Sequence, residues 1–111
     1  QIALNTVSAN GGGIEPQWDV VQFLGNGTTP ISWREGSARI IIIFSDERGQ
    51  TLSGNTESSM CNSLIHGETL AVFESPSFFE DFNECANLYS LSGNASDMLY
   101  DLNTIIRNPC E

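Results

Sequence analysis

The sequence predicts an α/β domain, a parallel sheet with helices on both faces. Three observations predict it. The run Ile40, Ile41, Ile42, Ile43 and Phe44 is β-branched or aromatic throughout and apolar on both faces, as a central strand covered on each side by helices must be. A second apolar run, Thr69-Leu70-Ala71-Val72-Phe73, and a third short one, Leu88 to Leu91, follow it. Helical patterns separate the three, and alternation of this kind implies crossover connections and a parallel sheet.

Taken in order, residues 1–9 carry only Ile2, Leu4 and Val7 as a weak pattern, fitting a helix end or a short strand, and Gly11-Gly12-Gly13 interrupts any regular element. Pro16 suits the first turn of a helix, where its missing N–H costs nothing. Trp18, Val21, Phe23 and Leu24 supply that helix's apolar side, and Gly25 stops it. Residues 25–37 read as loop. Ala38 to Ser45 is the clearest strand, ending abruptly in Ser45-Asp46-Glu47-Arg48-Gly49. Residues 50–58 are polar loop, Glu57 to Ile65 a short helix, and Glu68 to Glu74 a second buried strand. Ser77-Phe78-Phe79-Glu80 reads as a capping box opening a helix with Phe78, Phe79, Phe82 and Cys85 at helical spacing. After the short strand and Gly93, Asn94 caps a last helix with Asp97 in its first turn. Met98, Leu99, Leu102, Ile105 and Ile106 form its apolar stripe, and Pro109 ends it. Three strands are few for such a sheet, which usually carries about 5–6, so half a domain is expected to be missing.

Composition narrows the partners. The chain has 111 residues, 40% hydrophobic and 16% charged, a composition that folds. It carries 14 acidic and 4 basic residues, net charge −10, and the basic residues are Arg34, Arg39, Arg48 and Arg107. No basic footprint exists for nucleic acid, and an anionic membrane surface would repel the chain. An acidic surface favours cations. No apolar run approaches the roughly 20 residues of a membrane-spanning helix. The chain opens Gln1-Ile2-Ala3-Leu4, without a basic start or an initiator methionine, and reads as a mature product or a fragment.

Cys61, Cys85 and Cys110 fit neither a zinc knuckle nor a redox Cys-x-x-Cys spacing. Their odd number leaves at least one without an internal partner. In a secreted protein that points to a bond with a cysteine outside the chain; three reduced thiols are the alternative. Cys61 and Cys85 form a candidate internal pair. The sequons Asn26-Gly27-Thr28 and Asn94-Ala95-Ser96 make Asn26 and Asn94 candidate glycosylation sites and lean toward secretion.

Chemistry is expected beyond the carboxyl ends of the strands, where ligands bind in parallel α/β sheets. Asp46 and Glu47 lie there, and Glu15, after the triglycine, comes from a neighbouring loop. With the hydroxyls of Ser45 and Thr51 they suggest a hard, oxygen-only cation site, or else solvated loop acids. His66 is the only histidine. Its neighbours Cys61 and Ser63 lack an orienting acid, so hydrolase chemistry is not expected. The triglycine lacks the spacing of a phosphate loop. Trp18, Trp33 and the Phe78, Phe79, Phe82 group read as core.

The segment Gly11-Gly12-Gly13-Ile14-Glu15-Pro16-Gln17-Trp18-Asp19, followed by Arg39-Ile40-Ile41-Ile42-Ile43-Phe44-Ser45-Asp46-Glu47, resembles the second half of a von Willebrand factor type A domain. Leu70-Ala71-Val72-Phe73 resembles that family's next strand, and Leu88 to Gly93 with Met98 to Cys110 its last strand and C-terminal helix. The resemblance implies a Rossmann-like parallel sheet with residues 1–111 forming the C-terminal half of the domain. It implies a metal-ion-dependent adhesion site for Mg²⁺, Mn²⁺ or Ca²⁺, with Asp46 as the third-loop ligand and Glu15 as the second-loop ligand; a shifted alignment puts Gln17 in that place. The family's first metal loop, Asp-x-Ser-x-Ser, is absent from this sequence. The site is therefore weak or empty unless a second polypeptide segment completes the domain. The resemblance also implies that Cys110 pairs with a cysteine ahead of the first strand, outside this chain.

The function expected is that of a non-enzymatic extracellular or cell-surface adhesion or matrix-type module, which captures an acidic group of a protein ligand through a divalent cation. A metal-free structural or assembly module within a larger extracellular polymer is the alternative.

Overall fold

The computed structural model describes residues 14–25, 32–91 and 94–107. In chain order it holds α1 (Gln17–Gly25), β1 (Ile40–Ser45), α2 (Glu57–Asn62), β2 (Thr69–Glu74), a 3₁₀ helix (Pro76–Asp81), β3 (Asn87–Ser90) and α3 (Ala95–Arg107). The strands form one parallel sheet in the order β1-β2-β3. This is the α/β architecture that the alternation of patterns predicts.

Period-2 alternation divides the strand residues between two cores. Ile41 and Ile43 of β1, Leu70 and Val72 of β2, and Leu88 of β3 face α1, α2 and Phe82, with Val21 and Met60 fully buried against them. Ile40 and Ile42, Ala71 and Phe73, and Tyr89 face α3 through Met98, Leu102 and Ile105. Helices therefore cover both faces of the sheet. On the α3 side an aromatic row crosses all three strands, with ring centroids 4.7 Å apart for Phe44–Phe73 and 5.1 Å apart for Phe73–Tyr89. Trp18 and Trp33 pack against the first core, as expected.

One expectation about the sheet is overturned. Among the described residues the isoleucine run is an edge strand, not the central one. β2 pairs on both sides and is buried from Leu70 to Glu74, whereas β1 pairs only with β2 among the described residues, and Phe44 is 51% exposed. Two apolar runs of similar character look alike in sequence; pairing decides which is central, and composition does not encode it.

The capping box is also in another place. Pro76 starts a tight 3₁₀ turn ahead of Ser77, Ser75 flanks it without a side-chain cap, and Glu80 turns outward to Arg48 at 3.2 Å. The observed capping box opens α2: the Thr56 hydroxyl accepts from the Ser59 amide at 3.1 Å, and the Ser59 hydroxyl accepts from the Thr56 amide at 2.8 Å. Serine stands there in the place of the usual glutamate or glutamine. The helix predicted over 57–65 stops at Asn62, because the Ser63 amide and hydroxyl both turn back to the Met60 carbonyl. α1 and α3 begin where Pro16 and Asn94 predict. Asn94 Oδ1 accepts from the amides of Ser96 and Asp97.

Cys61 and Cys85 are disulfide-bonded, their Cα atoms 5.7 Å apart, tying α2 to the turn that follows the 3₁₀ helix. Asn26, Cys110, the segment 1–13 and Pro109 lie outside the described residues.

Candidate metal centre

The carboxyl ends of the strands present Ser45, Glu74 and Ser90 in register across the sheet. Alternation places the side chains of Ser45 and Glu74 on the face that carries α1 and α2, the same face as Ile41, Ile43, Leu70 and Val72. Asp46 and Glu47 form the exposed bend that follows β1.

Gln17 fastens α1 to this edge. Its Nε2 donates to Ser45 Oγ at 2.9 Å, in a buried bond, and its Oε1 accepts from the Gln50 amide at 3.1 Å. Ser45 Oγ in turn donates to the Glu47 carbonyl and accepts from the Glu47 amide, each at 3.1 Å. Glu15 lies two residues before Gln17, and its carbonyl accepts from the Gln17 amide at 2.9 Å. Asp46 lies one residue after Ser45. The Gln17–Ser45 bond therefore brings the loops of Glu15 and Asp46 to one edge of the sheet, with both side chains exposed. Gln17 itself is spent on this brace.

Sequence reasoning placed Glu74 only at a strand end. It is 0% exposed. Its Oε1 accepts from the Ser75 amide at 2.9 Å, while Oε2 is buried with no hydrogen-bond partner. Burial pushes this carboxyl above the usual carboxylate range. The Ser75 amide and the nearby Ser45 hydroxyl ease the charge, and Asp46 and Asp81 add to its cost. The available signal was the period-2 pattern, which puts Glu74 on the same face as Leu70 and Val72.

The neighbouring acids are already engaged. Arg48 donates to Asp81 at 3.1 and 3.3 Å and to Glu80 at 3.2 Å, and the Gly49 amide donates to Asp81 at 2.9 Å. Burial alone would raise the Asp81 carboxyl; Arg48 and the Gly49 amide outweigh it and hold the carboxyl below its ordinary value. Asp19, also missed from sequence, receives the Thr51 hydroxyl, the Asn55 side-chain amide and the amides of Leu52 and Ser53. Burial works against its charge, but these donors hold it at about 2. Thr51 thus serves Asp19 and the turn, not a cation.

Donor chemistry at the edge fits a hard divalent ion: Asp46, Glu15 and Glu74 offer oxygen only, and one buried carboxylate oxygen is unmatched. Among the described residues, one group of three ligand-type side chains converges, Glu57, Cys61 and Glu84, and it lies elsewhere. Cys61 there is bonded to Cys85 and offers no thiolate. Glu57 accepts from the Glu84 amide at 2.7 Å, and Glu84 accepts from Ser58. These contacts brace the disulfide corner. His66 is exposed, and its amide donates to Glu68 Oε2 at 2.9 Å. No family model, curated protein or solved structure matches this chain.

Proposed function

We propose that the chain is part of a non-enzymatic, von Willebrand factor type A-like adhesion or matrix module. A divalent cation, Mg²⁺ or its relatives Mn²⁺ and Ca²⁺, sits at the carboxyl edge, with Asp46 and Glu15 among its ligands. Its remaining coordination position takes an acidic group from a protein partner. The observation that carries this reading is the buried Gln17–Ser45 bond, which draws the Glu15 and Asp46 loops together at the edge where parallel sheets bind ligands. The three-stranded parallel order is compatible with it. The side of β1 that has no strand among the described residues suits a second polypeptide segment, which would supply the missing first metal loop. The Cys61–Cys85 disulfide and the exposed sequon at Asn94 favour an extracellular setting.

Calorimetric titration with Mn²⁺ of the domain completed by its second segment tests the reading. Asp46→Ala and Glu15→Ala each weaken binding if it holds. Equal affinity in Asp46→Ala, measured on that completed domain, sinks it.

One observation favours the metal-free assembly module. Three ligand-type side chains do not converge at the carboxyl edge among the described residues. On that reading the edge is a packing surface, and divalent ions leave the melting temperature unchanged.

A further inference from the structure

We propose that Glu74 is a direct carboxylate ligand of a divalent cation seated at the carboxyl end of β2, on the side facing Ser45 and Asp46. This rests on the cation-binding reading above and adds to it an inner residue that the resemblance does not supply.

The inference begins with an oxygen that has no partner. Glu74 closes the strand buried most completely, and its side chain is fully enclosed, yet only Oε1 finds a donor. Oε2 makes no hydrogen bond. An unmatched buried carboxylate oxygen is expensive, and native structures rarely keep one without a partner. Protonation does not settle the account, because a proton on Oε2 would itself need an acceptor.

Among the described residues no basic side chain forms an ion pair with Glu74. The chain has no lysine. Arg48 is committed to Asp81 and Glu80, and Arg39 lies 3.9 Å from the buried Glu68 and over the Trp33 ring. Glu68 also buries an oxygen without a hydrogen bond, Oε1, but that oxygen has the Arg39 guanidinium 3.9 Å away, and no such ion pair reaches Glu74 among the described residues. The Ser45 hydroxyl lies near the Glu74 carboxyl and eases its charge, but it is shared with the Glu47 carbonyl at 3.1 Å and leaves Oε2 without a hydrogen bond.

The surroundings are instead anionic. Asp46 and Asp81 both press on Glu74 electrostatically. Asp81 is neutralised by Arg48, while Asp46 stands exposed at the end of the strand that pairs with β2. A small hard cation between Asp46 and Glu74 would match both charges at once, and water would complete its shell. Such an ion explains why a carboxylate is kept at the end of an otherwise apolar central strand.

Mn²⁺ calorimetry on the chain, with Glu74→Gln and Asp46→Ala beside it, separates the outcomes. If the proposal holds, Glu74→Gln weakens Mn²⁺ binding by at least about 10–100-fold, the loss typical of even an outer-shell metal partner. The variant melts no lower than the parent in chelator, because it removes a buried charge while keeping the shape. In the unsubstituted chain, the Ser75 amide resonance shifts when Mg²⁺ is added, since that amide is bonded to Glu74; this readout does not depend on any variant folding. Unchanged affinity in Glu74→Gln together with weakened binding in Asp46→Ala overturns the Glu74 assignment and leaves the adhesion-site reading standing. Binding lost in Glu74→Gln but kept in Asp46→Ala upholds Glu74 and overturns the role of Asp46. No Mn²⁺ binding and no Ser75 shift in the unsubstituted chain overturns the Glu74 assignment.

Discussion

Gly49 lies against the face of Trp18 so closely that a Cβ placed on it would sit 2.7 Å from the indole Cε2 and Nε1. The ring is itself pinned, because Nε1 donates to the Asp81 carbonyl at 3.2 Å. The Gly49 amide donates to the Asp81 carboxylate, so the two residues and Asp81 form one joint between α1, the loop after β1 and the 3₁₀ helix. Gly49→Ala should cost about 1–3 kcal/mol, the usual range for forced overpacking, because neither the pinned indole nor the bonded backbone can step aside. Urea denaturation measures it; a loss under a few tenths would mean the joint is soft.

Asp19 predicts the acid limb of the stability curve. Its folded carboxyl titrates at about 2 against an ordinary 3.8, so the folded chain holds that proton more weakly than the unfolded chain does. The stability it contributes is complete above pH 3.8 and drains away as the pH falls through about 2. Asp19→Asn should therefore melt lower than the parent at neutral pH, with the gap closing at the acid end. Thermal melts from neutral pH to pH 2 check this, and a gap that does not narrow refutes it.

The order of the strands makes unequal neighbours of equivalent-looking residues. Leu70 is 1% exposed on the central strand, whereas Ile42 on β1 is only partly buried. Leu70→Ala should cost about 2–5 kcal/mol, and Ile42→Ala less than half of that. Equal costs would show that β1 is covered on both faces after all.

Much of the fold was legible in the sequence because helical and strand periodicity are local. The order of elements follows from Pro16 before α1, the isoleucine run, Leu70 to Phe73, and Asn94 at the start of α3. What was not legible depends on partners far along the chain. Nothing near Ile40–Phe44 says whether one or two strands flank it. The Ser77-x-x-Glu80 pattern is a valid capping signal, yet Pro76 and the pull of Arg48 on Glu80 redirect it. At the candidate site, Asp46 was visible as the acid ending a strand. Glu74 looked like an ordinary polar terminator, since its burial depends on β1 and β3 pairing on both sides of β2, which its local sequence does not encode. Asp19 was invisible for the same reason: its four donors lie in residues 51–55.

The disulfide predicts a redox dependence. Cys61 and Cys85 are 24 positions apart, a loop whose closure is worth about 3–4 kcal/mol in the chain-entropy picture. Cys61→Ala together with Cys85→Ala should lower stability by about 2–4 kcal/mol, read from denaturant melts under conditions where the parent stays oxidised. No change would mean that Glu57, Ser58 and Glu84 hold the corner unaided.

The same bond makes the central strand part of a covalent ring. The exposed turn at Ile65, His66 and Gly67 lies inside that ring and is the kind of tip that proteases enter first. A chain clipped there keeps β2 tethered on both sides of the cut, one side through the peptide and the other through sulfur. Clipped material therefore travels as a single full-mass species in a non-reducing gel and separates into two fragments only when thiol is added, so limited digestion escapes notice unless both gels are run.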